Sequence, residues 1–189
     1  EVITGIISRK KPLPKLGVIH IGTSPDFNRF HNISVKLERA VDTLISGKTK
    51  KIDIGKITHL SLKNRKTISY FGSSVNLGLG PNIASKSNGR YRAYLGDFLG
   101  TLSSTLVSLF QYKKSSFKLK YKNKKKLISN AINITIGKDP YLASGMRIPL
   151  DINQDDGKMF ILTIAGRSRA SLLLNLWRLY LGNILDSSD

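Results

Sequence analysis

Apolar positions follow two periods along the chain, and the change falls near residue 51. Before it, residues 1–8 read as the end of an amphipathic helix, and Ser8 to Lys15 as a basic, proline-containing loop. Leu16-Gly17-Val18-Ile19-His20-Ile21 is short, apolar and β-branched, which predicts a buried strand. It runs into Gly22-Thr23-Ser24-Pro25-Asp26-Phe27, a tight turn that opens a helix, with Ser24 as N-cap and Pro25 at the first helical position. A helix is predicted over about 34–46, with Leu37, Ala40, Val41, Leu44 and Ile45 on one face and Gly47 as its stop.

After residue 51 the period shortens. Lys51 to Leu60, Lys66 to Val75, Ser116 to Tyr121, Lys126 to Ile136, Met146 to Ile148 and Met159 to Ile164 read as strands. Two helices interrupt them. One covers about 91–112, with a stripe that includes Tyr94, Phe98, Leu102 and Leu109; the other covers about 168–181 and starts at Ser168. The pattern is α+β: a short α/β piece over 1–50, then a mostly β piece over 51–189. No internal repeat is visible.

Composition narrows the classes. A chain of 189 residues with 40% hydrophobic positions has enough material to bury a core. It has no cysteine, which excludes disulfide frameworks and thiolate metal sites. No apolar run approaches the roughly 20 residues needed to cross a bilayer. The formal charge of +19 attracts phosphate, whether on a nucleotide, a nucleic acid or an anionic lipid face. A solvated, lysine-rich surface explains the same number without any partner. His20, His31 and His59 lack metal-ligand spacing.

Three segments carry candidate chemistry. The Gly22–Phe27 turn presents backbone N–H groups where an anion can bind, and an acidic residue there can hold Mg²⁺ over phosphates. Taken alone, Asp26 simply suits a first helical turn. Phe71 to Ala84 contains Gly72, Gly78 and Gly80, which permit close approach of backbone to a ligand or, more plainly, a bulge. Asp151, Asp155 and Asp156 cluster before a strand and are hard-cation ligands by type, although Asp156-Gly157 is also a common turn pair.

In this order and spacing, the segments resemble the diacylglycerol kinase catalytic family, which includes bacterial lipid kinases and sphingosine kinases. The family's Gly-Thr-Gly-Asn-Asp-Phe turn is matched by Gly22 to Phe27, and a Val-Asp-Leu-Gly-like strand by Ile52-Asp53-Ile54-Gly55. An Asn-Xaa-Xaa-Gly-type segment is similar to Asn76-Leu77-Gly78, a Ser-Asn pair to Ser129-Asn130, and a Gly-rich, Pro, Leu-Asp-Asp-Gly stretch to Gly145 through Gly157. Ser24-Pro25 departs from the family's Gly-Asn and removes one N–H donor.

The resemblance implies a remnant of an α/β nucleotide-binding domain followed by a β-sandwich-like lipid kinase C-terminal domain that lacks its last strands. It implies ATP-dependent phosphorylation of a lipid hydroxyl, diacylglycerol or a related lipid. ATP and Mg²⁺ would be cofactors, with Gly22, Thr23, Asp26 and Asn76 on the nucleotide side. Asp151, Asp155 and Asp156 would fall at a structural Mg²⁺ site. ATP would sit in the interdomain cleft near Asp26, and lipid between apolar elements of the β domain.

No catalytic residue is assigned in the chain. The family's Gly-Gly-Asp-Gly-Thr loop and its Val-Asp-Gly-Glu general-base segment have no match here, so activity is expected of a longer parent rather than of these residues alone. The partners expected are a lipid at an anionic membrane surface and a nucleotide, not nucleic acid, with a homodimer kept open. The place expected is cytoplasmic and peripheral to the membrane, and the lysine-rich hairpin over 113–126 is its candidate contact. The rival readings are a catalytically silent membrane-binding relative and a basic nucleic-acid-binding module, the latter opposed by the scatter of the lysines.

Overall fold

The protein is described by a computed structural model that covers residues 1–9, 12–22, 24–61, 63–86, 103, 106–113, 115–121, 123–142, 146–166, 168, 170 and 171. In chain order its labelled elements are α1 (Val2–Ile7), α2 (Asp26–Phe30), α3 (Leu37–Ile45), β1 (Gly55–Leu60), β2 (Lys66–Phe71), β3 (Ser74–Gly78), α4 (Leu79–Lys86), β4 (Ser115–Tyr121), β5 (Lys124–Gly137), β6 (Tyr141–Leu142), β7 (Met146–Arg147) and β8 (Phe160–Ala165). Helices mix with antiparallel strand pairs, which gives the α+β class. The described residues fall into two compact units. One is drawn from Glu1–Ser74 and Gly137–Met159, the other from Val75–Ile136 and Phe160–Arg178.

In the first unit β1 and β2 form a hairpin with Gly55 opposite Phe71 and Leu60 opposite Lys66. Gly55 has no side chain because the Phe71 ring lies over it. Asn64 takes a positive φ of 56° and closes the turn, its N–H donating to Ser61 O at 2.8 Å. Thr4 ties α1 to β2: its hydroxyl accepts from Tyr70 N at 3.0 Å. Beyond β2, Gly72 lets Phe27 and Ile3 close in; a Cβ there would sit 3.0 Å from the Phe27 ring and 3.1 Å from Ile3 Cδ1. β6 and β7 pair through Tyr141–Arg147 and Leu142–Met146.

The second unit is built on the long strand β5. The sheet runs β3-β5-β4, with β8 also paired to β5. One apolar cluster joins Leu79, Leu109 and Ile132, packed by Ile83, Tyr112 and Ile164. Another joins Ile128, Ala131 and Ile134, packed by Phe117, Leu119, Ile136 and Ala165. A register shift between Ser115 and Phe117 lies opposite Ser129-Asn130, where Asn130 has φ 53°.

Several elements depart from the sequence pattern. Leu16 to Ile21 is not a strand. It has no ladder partner among the described residues, and Leu16, Ile19 and Ile21 are exposed. β-branched composition favours extension, but a strand needs a neighbour to take its backbone hydrogen bonds. The apolar stripe of α3 is mostly exposed as well, and only Ala40 is buried. Leu44 packs over Gly17, where a Cβ would collide with it.

The strand expected from Lys51 starts at Gly55, and the one expected over 66–75 breaks at Gly72-Ser73 into β2 and β3. The glycine-rich segment does not stay irregular: Leu79–Lys86 is helical, with Pro81 in its first turn, where no N–H is missed. Of the helix expected over 91–112, residues 103 and 106–111 are helical, while 91–102, 104 and 105 lie outside the described residues. Of the last helix, Ser168 accepts from Ser171 N at 3.1 Å, as an N-cap does, and 172–181 lie outside the described residues.

Candidate functional site

The candidate chemistry of the first unit gathers at α2 and the segment 138–158. α2 starts at Asp26, so Pro25 occupies the N-cap position. Ser24 does not take the N-cap role expected of it; its hydroxyl donates to Asp26 Oδ2 at 2.8 Å instead. Pro25 fixes the chain direction into α2, and the short Ser24 hydroxyl reaches the carboxylate two residues on. Gly22 is exposed, with nothing within 4 Å of where a Cβ would lie. Thr23 lies outside the described residues.

α2 ends against a polar seam. Lys50 Nζ donates to His31 O at 2.7 Å and also to Gln154 Oε1, while Gln154 Nε2 donates to Phe30 O. Phe30, Lys50, Lys51, Ile152, Asn153, Gln154 and Asp155 line an open cavity of about 430 Å³. His31 is buried, tilted against Phe27 and Phe30 with ring centroids 4.3 and 4.9 Å away. Burial, helped by the nearby Lys50 charge and partly offset by Gln154, lowers its pKa to about 4, so it is neutral at pH 7. Burial likewise lowers Lys50 from its ordinary value, and Asp155 pulls it back up.

Immediately after β5 come two buried charged residues, Lys138 and Asp139. Lys138 Nζ pairs with Asp53 Oδ2 at 2.7 Å and with Asp156 Oδ1. Its burial pushes the ammonium down, but the two carboxylates outweigh that and hold its pKa above the ordinary value. In turn the ammonium, with backbone N–H groups, holds both carboxyls below their usual range. Asp139 has no exposed surface, and its Oδ1 accepts from Tyr141 N at 2.8 Å. Burial raises its pKa to about 6 against the hydrogen bonds from Tyr141 and Ser73, with the charge of Asp26 adding to the rise.

The three carboxylates expected at a metal do not come together. Asp156 is engaged by Lys138, Asp53 joins it from the other side, and Asp151 and Asp155 are exposed. Among the described residues no group of three or more His, Cys, Asp or Glu side chains is placed to hold a metal ion. Asn76 belongs to the second unit. Its Oδ1 accepts from Thr135 Oγ1 at 2.7 Å and from Asn133 Nδ2 at 3.2 Å, and Asn133 Oδ1 accepts from Gly80 N at 2.8 Å. The structure therefore gives Asn76 a place in a side-chain network under α4.

Residues 1–57 match the family model described as the diacylglycerol kinase catalytic domain. The first 57 residues are thus similar to the diacylglycerol kinase catalytic domain. A diacylglycerol kinase of Staphylococcus carnosus is 34% identical over 101 residues, covering 52% of this chain and 29% of the relative. One from Staphylococcus haemolyticus is 27% identical over 175 residues, covering 91% of this chain and 48% of the relative. A solved diacylglycerol kinase of Bacillus anthracis str. Sterne shares the fold with a TM-score of 0.57 at 18% identity, over 88% of this chain and 53% of that one. This chain thus spans about half the length, or less, of the kinases it matches.

The motif match singled out Asp26 but passed over its neighbours. Lys138, Asp139, His31, Lys50 and Gln154 were not read as site residues, and Asp53 was read only as part of a strand motif. One signal was available. Gly137-Lys138-Asp139-Pro140 places two charges at the end of a long apolar strand, where charges are rare unless paired.

Proposed function

We propose that this chain is part of an enzyme that transfers the terminal phosphoryl group of ATP to a lipid hydroxyl, with diacylglycerol as acceptor. The observation that carries the reading is Asp26, in the first turn of α2 within the segment that matches the catalytic domain, its carboxylate oriented by Ser24. A carboxylate there has the chemistry to hold the Mg²⁺ that bridges ATP phosphates, and the Gly22 backbone is open to approach.

The lipid would be met at an anionic membrane surface. Among the described residues no helix is long and apolar enough to cross a membrane. The reading has the protein dock peripherally, from the cytoplasmic side. The β4–β5 hairpin, with Lys118, Lys120 and Lys125 exposed, is the surface proposed for that contact. The silent-scaffold and nucleic-acid readings have no observation of their own to favour them.

The test uses the polypeptide encoded by the complete open reading frame, with ATP, Mg²⁺ and diacylglycerol in mixed micelles. Phosphatidic acid is the expected product, and Asp26→Asn should cut its formation about a hundredfold, the scale of losing one charge-stabilising group. If neither diacylglycerol nor any other lipid alcohol is phosphorylated, the reading fails.

A further inference from the structure

The acidic segment 151–158 is the place where the family resemblance implies a structural Mg²⁺, and its residues do not fit one. Both oxygens of Asp156 are engaged: Oδ1 by Lys138 Nζ and by Lys158 N at 3.0 Å, Oδ2 by Asn153 N at 3.0 Å. Asp53 Oδ2 takes Lys138 Nζ and, at 2.7 Å, Gly157 N. Mg²⁺ needs near-octahedral oxygens at about 2.1 Å and sheds its waters reluctantly. Here a buried ammonium already stands between the two carboxylates, and a divalent ion would have to displace it or sit beside it against its charge.

We propose that Lys138 is the resident cation of this loop, and that the segment 151–158 holds its fold without a divalent metal. Lys138 is well placed for that role. Its backbone N–H is fixed to Ser73 O at 2.8 Å, which anchors the residue whose ammonium enters the loop. The loop closes around it through N–H groups of Asn153, Gly157 and Lys158, with Gly157 at φ 68°, and through Asp53 N, which donates to Gln154 O at 2.8 Å. That is how an acidic loop closes on a bound cation, except that the charge here is covalently attached. A tethered charge loses no translational freedom when the loop folds and is not removed by a chelator. The inference does not depend on the kinase reading.

The experiment follows thermal midpoint and amide exchange of 151–158 in the nucleotide-free protein, with Mg²⁺, with Ca²⁺, or with EDTA. The native protein should behave alike in all three. Lys138→Arg should stay indifferent to metal. Lys138→Met leaves Asp53 and Asp156 facing each other, so loop amides should exchange about tenfold faster or more. Millimolar Mg²⁺ or Ca²⁺ should then raise its midpoint, because a ligand that binds only the folded state stabilises it. A fall of the native midpoint in EDTA, or its rise with Mg²⁺, would overturn the proposal. So would a Lys138→Met protein with unchanged loop exchange. Should Lys138→Met fail to fold, the native and Lys138→Arg proteins still decide the matter, since metal dependence in either defeats it.

Discussion

Gly78 and Ile132 are in backbone contact: Gly78 has φ 106°, and a Cβ there would overlap the Ile132 carbonyl oxygen, with the Tyr112 hydroxyl 3.1 Å away. The residue sits where β3 turns into α4, so the helix can lie on β5 only if nothing projects from that point. Gly78→Ala therefore meets two costs, a left-handed backbone and a collision with a backbone atom that cannot move aside. We expect a loss of at least about 2 kcal/mol in urea unfolding. Gly47, at φ 65° with nothing within 4 Å, is the control. Gly47→Ala should lose only about 1 kcal/mol, from backbone strain alone.

Asn133 is the centre of the network beneath α4. Its amide donates to Asn76 and to Thr135, 3.0 Å away, and its oxygen takes Gly80 N. Asn133→Ala strands the Gly80 N–H and removes one of the two donors to Asn76. The expected loss is about 1–3 kcal/mol, read as a lower thermal midpoint. Asn76→Ala should also lower the midpoint. If Asn76 also touches nucleotide, ATP affinity should fall in Asn76→Ala and hold in Asn133→Ala, which isothermal titration can separate.

These residues mark what was legible in the chain. The alternation in 115–121 and 160–165 predicts strands close to their observed bounds, because alternate side chains of each are half-buried. The helix over 37–45 was legible from its stripe and from Gly47. The stripe's burial was not, because period reports which face is apolar, not what covers it. Leu16 to Ile21 failed for the same reason, since extended propensity supplies no partner. Helix α4 was hidden by Gly78, Gly80 and Pro81, residues that usually mark turns. In the site, Asp26 was found by local motif. The Lys138 pairs with Asp53 and Asp156 were not, because they depend on side chains far apart in the chain.

The β4–β5 register opposes Lys120 and Lys125 directly, and Lys118 faces Leu127 on the same side; all four are exposed. Phe117 and Leu119 point to the other side and pack into the core. Like charges face to face destabilise a hairpin unless an anion lies between them. Replacing Lys118, Lys120 and Lys125 with Gln should therefore weaken binding to phosphatidylglycerol vesicles by about 1 kcal/mol per lysine, measured by co-sedimentation at low salt. Binding to neutral phosphatidylcholine should stay where it was. Without vesicles, Lys120→Glu should stabilise the hairpin by a few tenths of a kcal/mol, since it turns a repulsive pair into an attractive one.

His31 and Asp139 make the pH dependence a balance of two opposite slopes. The folded pKa of His31 is depressed to about 4 from 6.5, by burial and then by Lys50. Its contribution is fully present above pH 6.5 and is lost as pH falls toward 4. Asp139 is raised to about 6 from 3.8, by burial first and by Asp26 last. Its contribution is present below pH 3.8 and is lost as pH rises through 6. At about 1.4 kcal/mol per unit, each amounts to about 3 kcal/mol. Asp53 and Asp156, depressed by Lys138, lose their contributions only below the ordinary carboxylate range, under this window. Between pH 4 and 6 the native protein should thus show a nearly flat stability. Asp139→Asn removes the falling slope, so its stability should climb from pH 4 to 6.5, and at pH 7.5 it should exceed the native protein by up to about 3 kcal/mol. His31→Phe keeps a flat ring between Phe27 and Phe30 and removes the rising slope, so its stability should fall from pH 4 to 6. Urea unfolding at half-unit pH steps reads both slopes. A flat profile in Asp139→Asn would show that His31 does not titrate as its burial requires, and a flat profile in His31→Phe would show the same of Asp139.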